Sequence, residues 1–365
     1  MAQIGLPSID VVFQQLAVSA IERSERGIAV VIVKDDTAST NGANIKLYRY
    51  LTDVKQEDYN ADNYNAIARC FLTAINRLYV IAIGVDDDFS VATGLLEGVK
   101  YNYICSTAGD LQEPLKSYVV NKNAKTAGKK HIAVVANATV ADDKYIINVK
   151  NGSVYLADGS TISIVEYLPR LATILANLPM NRSLTYYELE ELQDVDKSFI
   201  TDEEDIDYWI NKGNIVLFKD EDVVKVGRGV NTLTTFTSTD SEDMRKIIIV
   251  ESMNIILEDI YNTFKSSYIG KYKNSYDNQC LFISAVNAYF RQLAREEILD
   301  PNYENICFVD VEAQRQAWLG IGKLEASDWN EKTVKNMTFK SNVFLAGQIK
   351  ILDAVEDLKF NIAMA

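Results

Sequence analysis

The sequence predicts an α/β protein in which strands and helices alternate to build a mainly parallel sheet. Gly27–Lys34 (GIAVVIVK) is a continuous apolar run, the pattern of a strand buried on both faces. From Tyr79 to Ala136, strand-like and helix-like segments alternate, which implies βαβ units. At both ends of the chain, apolar residues recur at every second position.

The N-terminal run carries Pro7, Ile9, Val11 and Phe13 on one parity and predicts a strand-like arm. Ile45–Leu51 reads as a strand. Asn63–Leu78 reads as a helix, with Ile67, Phe71, Ala74, Ile75 and Leu78 on its apolar stripe. Tyr79–Ile83 is a strand and Asp88–Val99 a helix, with Asp86, Asp87 and Asp88 at its positive end. Tyr101–Cys105 is a strand. Asp110–Asn123 is a helix that tolerates Pro114 in its first turn. His131–Ala136 is a strand. Asn151-Gly152 between Tyr145–Val149 and Val154–Leu156 is a hairpin signal. Ser163–Leu178 is a helix interrupted at Pro169.

Glu188–Asp207 holds ten acids and one lysine, net −9, and reads as a solvated face leading into a helix capped by Thr201. Asn214–Lys219 and Val223–Val226 form a hairpin around Asp220–Asp222. Two long amphipathic helices follow. Ser241–Lys265 buries Ile247, Val250, Ile255, Leu257 and Ile260. Tyr276–Leu299 buries Leu281, Val286, Phe290 and Leu293. Ile306–Val309 is a strand, Glu312–Leu319 a helix, and Gly320–Lys340 polar and irregular. The end of the chain reads as two strands. Val343, Leu345, Ile349 and Ile351 share one parity in the first. After the polar break Asp353–Asp357, Leu358, Phe360, Ile362 and Met364 share the other. An apolar strand of this kind needs a partner, either in its own sheet or in that of another molecule.

At 365 residues and 48% apolar, the chain is large enough for two or three domains with a sizeable core. Its net charge of −14 argues against wrapping nucleic acid or lying on an anionic membrane. The chain opens without a basic segment followed by an apolar one, and no run reaches the ~20 apolar residues that span a bilayer. The expectation is a protein made and folded in a bacterial cytoplasm. Cys70, Cys105, Cys280 and Cys307 lie far apart in apolar segments and read as buried thiols, neither disulfides nor ligands.

Little chemistry stands out. His131 is the one histidine, so any serine or cysteine triad would have to use it, and no GxSxG elbow accompanies it. Gly128-Lys129-Lys130 lacks the first glycine and final hydroxyl residue of a phosphate loop. Gly227-Arg228-Gly229 fits a turn after a hairpin better than a dinucleotide fingerprint. Asp194, Asp196 and Ser198 begin like a calcium loop, but the central glycine is missing. The expectation is no cofactor, no metal and no catalytic residue.

Several segments in order carry a resemblance: IERSERGIAVVIVKDD, NIVLFKDEDVVKVGRGVNTLTT, YIGKYKNSYDNQCLFISAVNAYF, REEILDPNY, VDVEAQRQ and VFLAGQIKILDAVEDLKFNIAM. Together they resemble the contractile tail sheath proteins of phages of Gram-positive bacteria, of defective phages and of phage-tail-like bacteriocins. The likeness covers nearly the whole chain. It implies an inner α+β domain built from N- and C-terminal parts, and an inserted outer α/β domain of subtilisin-like shape. The corresponding expectation divides the chain into an N-terminal arm over 1–22, inner parts over 23–78 and 241–352, the outer domain over 79–240, and a C-terminal arm over 353–365. The resemblance also implies a structural subunit that stacks as helical hexameric rings around an inner tail tube. Its partners would be further copies of itself, the tube protein, and baseplate and tail terminator proteins, with no nucleic acid and no membrane. The interface residues it points to are Pro7, Ile9, Val11 and Phe13 in one arm, then Val343, Leu345, Ile349, Ile351, Leu358, Phe360, Ile362 and Met364. A hydrolase using His131 and a static shell protein are the alternatives.

Overall fold

The protein is described by a computed structural model, which defines residues 20–139, 141–198 and 203–364. In chain order, β1 is Ile28–Lys34, α1 Asp36–Asn41, β2 Asn44–Tyr48, α2 Ala61–Cys70, β3 Arg77–Ile83, α3 Phe89–Leu95 and β4 Tyr103–Ser106. Then follow α4 Gln112–Lys125, β5 Ile132–Ala136, β6 Ile146–Val149, β7 Ser153–Leu156, β8 Thr161–Ser163, α5 Ile164–Asn177, β9 Leu192–Val195 and α6 Glu203–Asn211. The remaining elements are β10 Asn214–Ile215, β11 Leu217–Asp220, β12 Val223–Val226, α7 Ile247–Thr263, α8 Tyr276–Arg295, β13 Ile306–Val309, α9 Val311–Gly320, α10 Glu331–Asn336 and β14 Leu345–Gln348.

The described residues divide into two compact units, 20–22 with 260–350, and 23–259 with 351–364. The larger unit is built on a sheet of order β10-β6-β5-β4-β1-β3-β2, parallel except for the edge strand β2. Its β1 alternates between two cores. Ala29, Val31 and Val33 pack with α2 and α5, while Ile28, Val30 and Ile32 pack with α3 and α4. Burial on both faces is why GIAVVIVK has no polar position until its end. Because β1 pairs with both β3 and β4, residues 23–78 belong to the same body as the residues after 79. That departs from the sequence expectation, which grouped 23–78 with the C-terminal region.

Other departures have local causes. The Asn151-Gly152 pair makes no hairpin: β6 stays in the large sheet, and β7 joins a small one of order β8-β7-β9. Asn151 is fully buried, and its side-chain amide accepts from the Leu217 N–H (2.9 Å) and donates to the Leu217 carbonyl (2.9 Å). The asparagine thus ties down a neighbouring segment where a hairpin turn was expected. Helix α5 runs through Pro169; Ser163 and Glu166 form its capping box, and most of its residues are buried. The helix over 63–78 stops at Cys70, and β3 begins at Arg77. Glu191 is no part of a solvated face: it accepts from Arg170 Nε (2.6 Å) and from the Tyr167 hydroxyl (2.8 Å). Thr201, expected to cap α6, lies outside the described residues.

In the smaller unit, α8 buries Phe282, Val286, Tyr289, Phe290 and Leu293, with Leu281 half-buried, and packs on β13. In the larger unit, Leu257 of α7 was expected in a core and is exposed; two positions carry it about 200° around the helix from buried Ile255. The stretch over 320–340, expected to be irregular, contains α10 and a 3-10 turn. Both are held by α9. Gln314 donates to the Val334 carbonyl (2.6 Å), and Arg315 donates to the carbonyls of Ala326 (2.7 Å) and Trp329 (2.8 Å).

Candidate functional site

The features that set this chain apart from a self-contained domain are its C-terminal arm and, among the described residues, an unpaired edge of the small β13-β14 sheet. After Ile351 the chain runs to Met364 without secondary structure and without pairing to any strand among the described residues. Val355, Leu358, Phe360, Ile362 and Met364 are each at least 72% exposed. A row of apolar side chains presented to water on unpaired backbone is unstable unless another surface covers it.

The root of that arm is fixed. The Glu356 carboxylate, almost wholly buried, accepts from the Thr185 hydroxyl (2.6 Å) and the Ser183 hydroxyl (3.1 Å). Lys246 pairs with Glu356 (3.3 Å) and with Asp353, and Arg228 pairs with Asp357 (2.6 Å). Burial alone would lower the Lys246 pKa, but the Asp353 and Glu356 carboxylates outweigh it and raise it overall. Arg228 is raised in the same way by Asp357 and Glu356. The polar break Asp353–Asp357 is therefore a clamp. The residues that hold it went unrecognised in the sequence, where they lie more than 100 positions away. In the sequence Arg228 stands only as the middle of the turn Gly227-Arg228-Gly229. A Cβ on Gly229 would stand 3.2 Å from Leu184 Cβ, so the glycine lets the arginine's backbone sit against the Ser183–Thr185 segment.

The open edge belongs to β14, which pairs antiparallel with β13 in the register Ile306↔Gln348 to Val309↔Leu345. Asn287 of α8 accepts from the Cys307 N–H (2.7 Å) and donates to its carbonyl (3.2 Å), closing the outer edge of β13. Cys307 thus faces away from β14, and its partner Gly347 directs its own N–H and carbonyl outward. Leu345 does the same by alternation. Among the described residues nothing pairs with that side of β14. Gly347 is needed at this crossing: a Cβ there would lie 3.0 Å from the Ile306 carbonyl oxygen.

Of the residues singled out by sequence, Leu345 lies in β14; Val343 precedes it, Ile349 and Ile351 follow it, and all of them are half-buried. Leu358, Phe360, Ile362 and Met364 line the exposed arm. Pro7, Ile9, Val11 and Phe13 lie outside the described residues. His131 sits among core residues with its ring 4.2 Å from that of Tyr101, and its Nδ1 bonds to the Tyr101 carbonyl (3.1 Å). Burial, helped by nearby Lys122 and Lys129, pushes its pKa down to about 3. The four cysteines are free thiols; Cys280 is half-buried and the others are buried. Among the described residues no cluster of His, Cys, Asp and Glu could hold a metal ion, and no helix is long and apolar enough to cross a membrane.

Two family models match the chain: the phage tail sheath protein central domain over residues 79–232, and the phage tail sheath C-terminal domain over residues 239–365. The tail sheath protein of Clostridium phage phiCD119 is 32% identical over 371 residues, spanning 99% of each chain. Solved structures are similar across most of the molecule. The sheath tail protein of Desulfitobacterium hafniense superposes with a TM-score of 0.65 at 16% identity, covering 86% of this chain and 94% of that one. The helical sheath of the anti-feeding prophage in its contracted state gives 0.70 at 12% identity, covering 99% of both. The contracted sheath complex of the PVC extracellular contractile injection system gives 0.67 at 12%, covering 100% and 98%.

Proposed function

This chain belongs to the phage tail sheath protein family, and from that premise we propose that it polymerises by exchanging strands between subunits. It is a structural subunit of a contractile sheath, in a phage tail or a related injection particle. The subunits stack as helical hexameric rings around an inner tube, joined to baseplate and terminator proteins, and they contract to drive the tube through a cell envelope. Stacking without limit requires heterologous contacts, in which a donor surface meets a different acceptor surface. The exposed C-terminal arm suits the donor and the open edge of β14 the acceptor. The N-terminal segment with Pro7, Ile9, Val11 and Phe13 would be a second donor.

Main-chain pairing suits a tether that must survive contraction, because its hydrogen bonds persist while side-chain contacts rearrange. The energy can be held in the lattice. Roughly 100 Å² of extra apolar burial per subunit would release about 2.5 kcal/mol, and the gain adds over every subunit. No catalytic residue is required. The near-neutral region from Arg245 onward, with 14 basic and 16 acidic residues, suits the side facing the tube, and the acidic remainder suits solvent.

The exposed apolar row on the clamped arm is the observation that carries this reading. A chain ending at Asp357 should keep its circular dichroism and melting temperature yet fail to form tubes under the electron microscope. Normal tubes from that truncated chain would overturn the reading.

A further inference from the structure

At Val343, two residues ahead of β14, lies an apolar groove of about 600 Å³ that the strand-exchange reading leaves unexplained. It is lined by Phe264, Tyr268, Ile269, Tyr272, Phe282 and Val343. Tyr268 packs edge-on against Phe282 (4.7 Å between ring centres) and tilted against Tyr272 (5.2 Å), so the wall is a preformed aromatic cluster. Ile269 and Tyr272 are 59% and 41% exposed, an unusual state for residues beside such a wall.

We propose that this groove is the receptor for the C-terminal arm of a second copy of the chain, and that Phe360 of that copy is its aromatic anchor. The proposal rests on the strand-exchange reading and adds where specificity resides. By the pairing register, Leu345 and Gly347 lie on the same face of the small sheet as Val309 and Cys307. Val343 has the same parity and lines the groove. A strand added along β14 therefore presents every second side chain on the face where the groove lies. Leu358, Phe360 and Ile362 are such a set, 87%, 74% and 72% exposed, with the largest ring at the centre.

A second observation points to a bound partner. Gln279 lines the groove and is 3% exposed, with its side-chain amide donating to Asn274 Oδ1 (2.7 Å). Its own carbonyl oxygen Oε1 has no donor among the described residues. Buried acceptors in native proteins are almost always satisfied. A main-chain N–H of an incoming strand would supply that donor after a small turn of the side chain.

The test uses the full-length protein with p-benzoyl-phenylalanine replacing Phe360, assembled from a mixture of isotopically light and heavy chains and irradiated. Cross-links between light and heavy chains should map to peptides spanning 268–282. In parallel, Ile269→Asp should raise the concentration needed for tube formation by about ten-fold. Leu324→Asp, at a still more exposed site outside the groove lining, should change it by no more than about two-fold. Cross-links that map elsewhere, or the same groove peptides captured by the photoreactive residue at Phe13 and not at Phe360, would overturn the assignment. If the chain ending at Asp357 still forms tubes, strand exchange itself fails. If that chain fails to assemble but Phe360 does not reach the groove, only the receptor assignment fails.

Discussion

At the scale of single residues, two side chains translate environment into measurable behaviour. His131 is neutral in the fold, with its pKa pushed down from 6.5 to about 3 by burial. The unfolded chain therefore binds a proton that the folded chain refuses. The stability this contributes is complete above pH 6.5 and is lost as pH falls toward about 3. His131→Gln should flatten the pH dependence of the urea midpoint between about pH 6.5 and 4. An unchanged slope would show that His131 does not govern it. Glu356 is the second. It is the buried acceptor for Ser183 and Thr185 and the shared partner of Lys246 and Arg228. Glu356→Ala should cost about 1–2 kcal/mol, because both cations keep some solvent. It should also speed amide hydrogen exchange over 353–357, which mass spectrometry would record.

At the scale of elements, the small sheet shows how one asparagine decides which edge is available. Asn287 holds both main-chain groups of Cys307. Asn287→Ala leaves two buried polar groups unpaired and should cost about 1–3 kcal/mol in denaturant unfolding. It would also uncover a second strand edge, so aggregation at high concentration should rise; light scattering measures that. The βαβ rhythm was legible because each strand is short and continuously apolar, as in IAVVIVK and IAVVA. The Asn151-Gly152 signal misled because it is a local rule, and a buried contact with Leu217, 66 positions away, overrode it.

At the scale of the whole molecule, charge is divided along the chain, net −2 from Arg245 onward and −12 before it. Neutralising the exposed acids Glu188, Glu190 and Asp207, while sparing the buried ion pair of Glu191, should leave co-sedimentation with the tube unchanged. Lost tube binding would count against the acidic region facing solvent. Sheaths assembled from the intact chain should show two helical lattices, before and after a contraction trigger. One lattice alone would favour a static shell.

By itself the sequence determined the α/β class, the strand order of residue types and the apolar periodicity of both ends, because these follow from local alternation and from burial written into side-chain polarity. The tertiary structure alone decided that β1 sits inside the same sheet as β3 and β4, and that Lys246 and Arg228 clamp the arm. It also decided that Asn287 closes one edge of the small sheet while the other has no partner among the described residues. Each of these depends on partners far apart along the chain, and only the folded backbone sets their distance.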